Sequence, residues 1–388
     1  MRRLFIHEHP GWPQLRWQTD KLADSLAVVR YKQGRLVGQM HSLGFDLRQE
    51  AILETLTQDV HKSSDIEGEH LDLEQVRSSV GRHLGMNIGG LRHVEDKVEG
   101  VVEMMLDATG SYDRPLTLDR LWGWQAALFP TGRSRMRPIT VGGWRDDRTG
   151  PTQVISGPIG KERVHFEGPA AARIDNEMGM FLGWFNEPSD IDGVLRAALA
   201  HLWFVTIHPF DDGNGRIARA ISDMALARSE GSSQRFYSMS SQIRVERRDY
   251  YRILERTQKG TPDVSEWMEW FLGCLGRAID GAETTLASVL TKARFWQQVE
   301  DVALNARQRR VLNRLLDGFD GKLTTSKWAK LAKCSQDTAL RDITALVDDG
   351  ILVRSSARGR STNYSLTTRS PAVHPLAPGD VELRSTTR

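Results

Sequence analysis

The chain has 388 residues, 39% of them apolar and 26% charged, with 52 Lys and Arg against 50 Asp and Glu. That length exceeds what a single hydrophobic core usually fills, so two or three packed units are expected. Near neutrality excludes any chain-wide argument for nucleic acid or an anionic membrane, so such a surface would have to be local.

The opening Met1-Arg2-Arg3 is basic, but His7, Glu8, His9 and Pro10 interrupt it before a signal core can form. No stretch approaches the roughly 20 uninterrupted apolar residues of a membrane span. Cys274 and Cys334 lie far apart, without CxxC or zinc-ligand spacing. A cytoplasmic protein in a reducing compartment, with no membrane partner, is the expectation. From about Trp17 to Val80 apolar residues recur at helical spacing, with Leu22, Leu26 and Val29 on one stripe and Leu53, Leu56 and Val60 on another. Asp72, followed three residues later by Gln75, predicts a capping box that opens a further helix.

Between Arg137 and Phe166 the pairs Gly142-Gly143, Gly150-Pro151 and Gly157-Pro158 punctuate the short runs Thr152-Gln153-Val154-Ile155 and Arg163-Val164-His165-Phe166, a strand-and-hairpin pattern. Ile191 to Ile207 is nearly all apolar and predicts a buried helix that stops where Pro209 appears. A second helix is expected from about Arg216 to Arg228, and more from Arg247 to about Leu290. Beyond Asn305, Gln308 to Leu316, Thr325 to Ala332 and Gln336 to Val347 read as three short helices, the last stopped by Gly350. Ile351-Leu352-Val353 and Tyr364-Ser365-Leu366 then bracket a basic wing containing Arg354, Arg358 and Arg360, the order of a winged helix-turn-helix. Residues 367–388, with Pro371, Pro375 and Pro378 and few apolar side chains, read as a mobile tail.

The chemistry concentrates in His208-Pro209-Phe210-Asp211-Asp212-Gly213-Asn214-Gly215-Arg216. Gly213-Asn214-Gly215 allows positive φ angles, so successive N–H groups can converge on an anion. The helix that follows adds free N–H donors and a positive dipole end. Arg216 and Arg219 lie one turn apart, where both guanidinium forks can reach a polyphosphate. Asp212 offers an oxygen ligand for Mg²⁺ carried by nucleotide phosphates, and His208 titrates in the range of a general base for an incoming hydroxyl. Alone, His-Pro is a helix terminus, Gly-Asn-Gly a turn and the arginines a solvated face. Their combination argues for phosphoryl-type transfer, in which a protein mainly positions groups and neutralises charge. The absence of Gly-Lys-Ser/Thr after the glycines excludes a P-loop.

The run His208 to Arg219 resembles the signature of the Fic (Fido) family, HPFx[D/E]GNGRxxR, at every specified position. The resemblance implies a mainly α fold, a helical core bearing a β-hairpin flap, and transfer of AMP from ATP with Mg²⁺ to a Ser, Thr or Tyr hydroxyl of a protein, the enzyme itself included. It implies His208 as base, Asp212 as metal ligand, the Gly213, Asn214 and Gly215 backbone around the phosphates, and Arg216 and Arg219 on the β and γ phosphates. Val154-Ile155-Ser156-Gly157 stands where relatives carry the flap, and Tyr250, Tyr251 and Gln258 resemble the positions that close over base and ribose. UMP and phosphocholine remain alternative transferred groups.

Ser63-Ser64-Asp65-Ile66-Glu67-Gly68 resembles the family's inhibitory motif [S/T]xxxE[G/N], implying that Glu67 competes with ATP for Arg219 and that removal of AMP is a further activity. The expected organisation is an N-terminal helical segment at 1–95 holding the motif at 63–68, a catalytic core at 96–290, a winged helix-turn-helix at 300–366 and the tail at 367–388. For the winged helix two partners stand open. In the DNA reading Gln336, Thr338 and Arg341 face the major groove, against which Asp337 and Asp342 place carboxylates on the same helix. In the other it is a protein-docking or homodimer module. The alternative to an enzyme is a DNA-binding transcriptional regulator with a nucleotide-sensing core, which the intact His208 argues against.

Overall fold

Helices make up most of the described residues. The computed structural model describes residues 4–41, 43, 45–86, 93–148, 150–158, 161, 163–316, 319, 321–355 and 362–367, and the chain divides into two units, Met1–Val289 and Leu290–Arg388. The first contains α1 (Thr19–His41), α2 (Phe45–Ile66), α3 (Leu73–His83), α4 (Asp96–Gly110), α5 (Leu118–Leu128), the hairpin of β1 (Arg133–Ser134) and β2 (Arg137–Pro138), and that of β3 (Gln153–Ser156) and β4 (Arg163–Glu167). It continues through α6 (Ile174–Asn186), α7 (Gly193–Ile207), α8 (Asn214–Glu230), α9 (Met239–Val245), α10 (Arg247–Gln258) and α11 (Ser265–Gln298), whose last residues belong to the second unit.

A helix without a polar stripe can be satisfied only by burial on all sides. The segment after Asp192 meets that condition: Val194, Leu195 and every residue from Ala197 to Ile207 are buried in α7. Asp192 caps it by accepting the Val194 N–H at 2.8 Å. Helix α8 lies along α7, and the buried Trp267 of α11 donates its indole N–H to the Ala198 carbonyl at 2.8 Å. Helix α2 packs on α9 and also touches α8, which brings its C-terminal end to the start of α8.

Asp72 does cap α3, accepting the Glu74 and Gln75 N–H groups at 2.9 and 3.1 Å. The expected box is not closed by Gln75, however. Its carboxamide oxygen accepts the backbone N–H of Glu95 at 3.0 Å, the residue before α4, because α4 lies alongside α3 and offers an unpaired donor. The flap expected between Gly150 and Phe166 is the antiparallel pair β3 and β4, with a bulge between Val154 and Ile155. Among the described residues no helix is long and apolar enough to cross a membrane.

The second unit has its own core of Val311, Leu312, Trp328, Ala339, Ile343, Leu346, Ile351 and Leu352. Around it stand α12 (Ala306–Leu316), α13 (Thr325–Ala332), α14 (Gln336–Asp348) and the antiparallel pair β5 (Leu352–Arg354) and β6 (Tyr364–Leu366). Arg358 and Arg360 of the expected wing, and the expected tail beyond Thr367, lie outside the described residues. Two expectations for α14 are corrected. Asp342 does not face outward: it is 6% exposed, accepting Arg307 in two bonds of 3.0 Å and Asn305 at 3.0 Å. Thr338 is half-buried and donates its N–H to the capping hydroxyl of Ser335 at 3.2 Å, so it is spent on the helix start.

Candidate active site

Helix α7 stops because Pro209 cannot continue it, and His208 turns into the left-handed region at φ 52° and ψ 56°. Few residues other than glycine occupy that region at no cost, so the turn is held from outside. Arg145, whose side chain is fully buried, donates Nε to the His208 carbonyl at 2.7 Å and Nη2 to the Pro169 carbonyl at 2.5 Å, while its own N–H bonds to the Pro209 carbonyl at 3.0 Å. The His208 Nδ1 faces the Val205 carbonyl at 3.2 Å. We assign the proton to Nδ1 on that contact, which leaves the Nε2 lone pair free. Burial, reinforced by the nearby Arg145 charge, lowers the His208 pKa to about 4. The imidazole is therefore neutral near pH 7, as a general base requires.

The Asn214 side chain clamps the loop, accepting the Phe210 N–H at 3.0 Å and donating to the Phe210 carbonyl at 2.8 Å. Asp212 accepts the Gly213 N–H at 2.6 Å with one oxygen and the Ser134 hydroxyl with the other. Gly213 sits at φ 91°, and a Cβ there would come within 3.0 Å of the Phe129 ring. Helix α8 thus begins on a tight glycine turn with its first N–H groups open toward the site.

Arg216 and Arg219 rise from the first two turns of α8, 2% and 1% exposed. Each is met by a carboxylate. Arg219 Nη2 pairs with Glu67 at 2.8 Å and also donates to the Ser63 carbonyl at 2.9 Å, while its Nε donates to the Ser63 hydroxyl at 2.9 Å. Arg216 Nη1 pairs with Glu69 at 2.6 Å and stacks on Phe129. Burial opposes the charge on Arg219, but Glu67 together with Tyr250 and Tyr251 outweighs it and holds the guanidinium above its usual range. Arg216 Nε and Arg219 Nη1 are buried without a hydrogen-bond partner among the described residues. The Glu67 carboxylate lies over the first turn of α8, since a Cβ on Gly215 would stand 2.2 Å from it.

The remaining expected residues divide. Tyr251 borders the site, its hydroxyl 3.4 Å from Glu67. Tyr250 does not open onto a cleft: it is 1% exposed and its hydroxyl meets His201 Nε2 at 2.9 Å, behind Arg219. Gln258 is 5% exposed and donates to the Thr206 hydroxyl at 3.3 Å, turned toward α7. On the flap Val154 is half-buried while Ile155, Ser156 and Gly157 are exposed. Glu255 of α10 ties the hairpin down through Arg163 and His165, both at 2.8 Å, and Lys259 donates to the Val164 carbonyl at 3.3 Å. These contacts, with Lys259 on Glu255 as well, lower the Glu255 pKa to about 2.

Sequence reasoning missed Glu69, Arg145, Ser134 and Glu255. Only Glu69, two residues past the motif glutamate, carried a signal that could have been read, as a second acidic side chain just beyond the end of α2. Beneath the site, Asp59 of α2 accepts the Ser240 N–H at 3.1 Å and the Ser238 hydroxyl. Asp223 of α8 is pushed well above the carboxylate range by burial and by neighbouring Asp59, despite its bond to Arg235 at 2.9 Å.

Residues 115–226 match the Fic/DOC family, and residues 5–86 match a domain of unknown function (DUF4172). Over 122 residues the chain is 32% identical to the protein adenylyltransferase Fic of Nematostella vectensis, covering 30% of this chain and 27% of that protein. It is 34% identical over 122 residues to a uridine 5'-monophosphate transferase of Xanthomonas campestris pv. campestris, covering 29% of this chain and 21% of that one. The chain thus spans about a quarter of the length of these curated relatives. A Fic family protein from Desulfovibrio desulfuricans shares the fold with a TM-score of 0.51 and 21% identity, over 90% of this chain and 96% of that one.

Proposed function

We propose, on the premise that residues 115–226 make this chain a member of the Fic/DOC family, that it transfers AMP from ATP to a hydroxyl of a protein and that its resting state is off. His208 Nε2 takes the proton of the incoming hydroxyl, the oxygen bonds to the α-phosphorus, and the bond from that phosphorus to the bridging oxygen breaks as pyrophosphate leaves. The open N–H groups at the start of α8 and the two guanidiniums hold the phosphates, with the spare Arg216 Nε and Arg219 Nη1 donors left over for that use. Asp212, a single half-buried carboxylate beside that turn, fits Mg²⁺ carried by the nucleotide, since such an ion needs only one or two protein carboxylates. When bound, it would neutralise phosphate charge.

The observation that carries the brake is the pairing of Arg219 with Glu67 at 2.8 Å, over a helix start that the same carboxylate covers. A misplaced α-phosphorus reacts slowly. Removing one member of a buried ion pair costs about 3–5 kcal/mol because the other is left uncompensated. A freed Arg219 therefore favours any incoming anion, and ATP is the anion proposed for it. Glu69 adds a second hold, on Arg216. The exposed edge of β3 supports main-chain pairing with a target segment.

Intact-mass measurement of wild type, Glu67→Gly and His208→Ala after incubation with each nucleoside triphosphate and Mg²⁺ tests the reading. The expected result is a gain of one AMP in Glu67→Gly, little in wild type and none in His208→Ala. No gain in any of the three with ATP would overturn it, and a gain with UTP alone would replace the donor.

A further inference from the structure

The transfer chemistry leaves the second unit unused. The chain as a whole is nearly neutral, yet residues 290–367 hold fourteen Lys and Arg against eight Asp and Glu. Helix α13 ends in Lys333 at φ 51°, and only Lys333, Cys334 and Ser335 separate it from α14, whose first turn Ser335 caps. That short turn between two packed helices is the connection of a helix-turn-helix.

Helix α14 divides cleanly. Ala339, Asp342, Ile343 and Leu346 face inward. Gln336, Asp337, Leu340, Arg341 and Thr344 run along the exposed side. Lys327, Lys330, Lys333, Arg341 and Arg354 are exposed as well, and among the described residues none has a carboxylate at ion-pair distance. The one acidic side chain of α14 that would have repelled phosphate from its middle, Asp342, is buried against Arg307.

We propose that this unit binds duplex DNA, with α14 in the major groove and the lysines of α13 and its turn on the phosphate backbone. An unpaired cluster of cations repels itself and is relieved by a polyanion, with release of the counterions condensed on that polyanion. The exposed side chains of α14 suit base edges: Arg to guanine, Gln to adenine, Asp to a cytosine amino group, and an apolar Leu340 to a thymine methyl. A protruding helix fits the wide major groove of B-form DNA, whereas that of duplex RNA is too deep and narrow to admit it. The inference is independent of the transfer reading, because binding is read with no nucleoside triphosphate present.

The test is fluorescence anisotropy of the full chain with a labelled, randomised duplex DNA library across a salt titration, followed by selection of the bound sequences. Binding at low salt that weakens steeply as salt rises is expected. Lys330→Ala/Lys333→Ala should make the log–log salt slope shallower by about two. Arg341→Ala should lose about tenfold on the selected sequences and relax the preference at one base pair. The matched pair Lys21→Ala/Lys97→Ala in the first unit should change neither quantity, and circular dichroism checks that each variant is folded. Absence of binding at low salt overturns the proposal. So does an equal loss in the first-unit control, or tighter binding to duplex RNA. Loss of self-association in Arg341→Ala by light scattering, with no DNA bound by wild type, would make the surface a protein-docking one instead.

Discussion

Arg216 and Arg219 in the first unit and Lys330, Lys333 and Arg341 in the second carry the same charge in opposite circumstances. The first two are buried and each is answered by a carboxylate. The other three stand in water, without one among the described residues. A buried guanidinium cannot stay unpaired cheaply, so under the proposed function whichever anion occupies it would exclude the next and the pairing would act as a switch. Exposed cations cost little to leave unpaired, and their use lies in the collective field they offer a polyanion. Two kinds of phosphate chemistry thus call for two kinds of burial.

The largest effect expected in testing that contrast comes from the base. In a Glu67→Gly background, His208→Ala should slow AMP transfer by about 10²- to 10⁴-fold in an intact-mass time course; retention of the rate would put the base elsewhere. Next, Glu67→Gly should raise the initial rate by about 10- to 100-fold, the worth of a charged hydrogen bond removed from competition with ATP. Glu69→Gln should raise it less, about two- to fivefold, because the 40% exposed Glu69 holds Arg216 through solvent-screened contact. The two combined should fall short of the product, since both free donors for the same phosphates. Wild-type rates in both single variants would break the comparison.

The pH dependence is a smaller effect. The His208 pKa is lowered, so the neutral base persists as pH falls below the ordinary imidazole range and is lost only on approach to about 4. A kcat/KM profile should therefore stay nearly flat between about pH 6.5 and 5, and an acid limb centred at the ordinary imidazole value would contradict the assigned burial. The smallest effect should be that of salt on the brake. Because Arg219 is buried and Glu67 is half-buried, the ratio of Glu67→Gly to wild-type rates should change less with salt than binding at the exposed cations does.

Much of the site was legible because it is contiguous. His208 to Arg219 carries a proline that ends one helix, a glycine at φ 91° and a helix start, all three local properties of the chain, although Arg145 holds the His208 turn from outside. The pairing of Glu67 with Arg219 was legible only through resemblance, since nothing local to Ser63 through Gly68 says which arginine it meets. The long apolar helix α7 was plain from its composition, and the flap hairpin from its glycines. What stayed hidden were contacts between distant segments: Arg145 on the His208 carbonyl, Ser134 on Asp212, Glu69 on Arg216 and Glu255 on the flap. Helix periodicity was enough to predict α14 but not to orient it, so Asp342 was expected in the groove until Arg307 was seen to hold it inside.

By itself, then, the amino-acid sequence determined the elements, the glycine loop that opens α8 and the residue types proposed for base, metal and phosphate. Local backbone preference and apolar periodicity act within a few residues, and those features need no more. Only the tertiary structure decided which charges are paired and which are free. That choice depends on where helices α2 and α8 meet and on which face of α14 the core claims, and the packing of whole elements settles both.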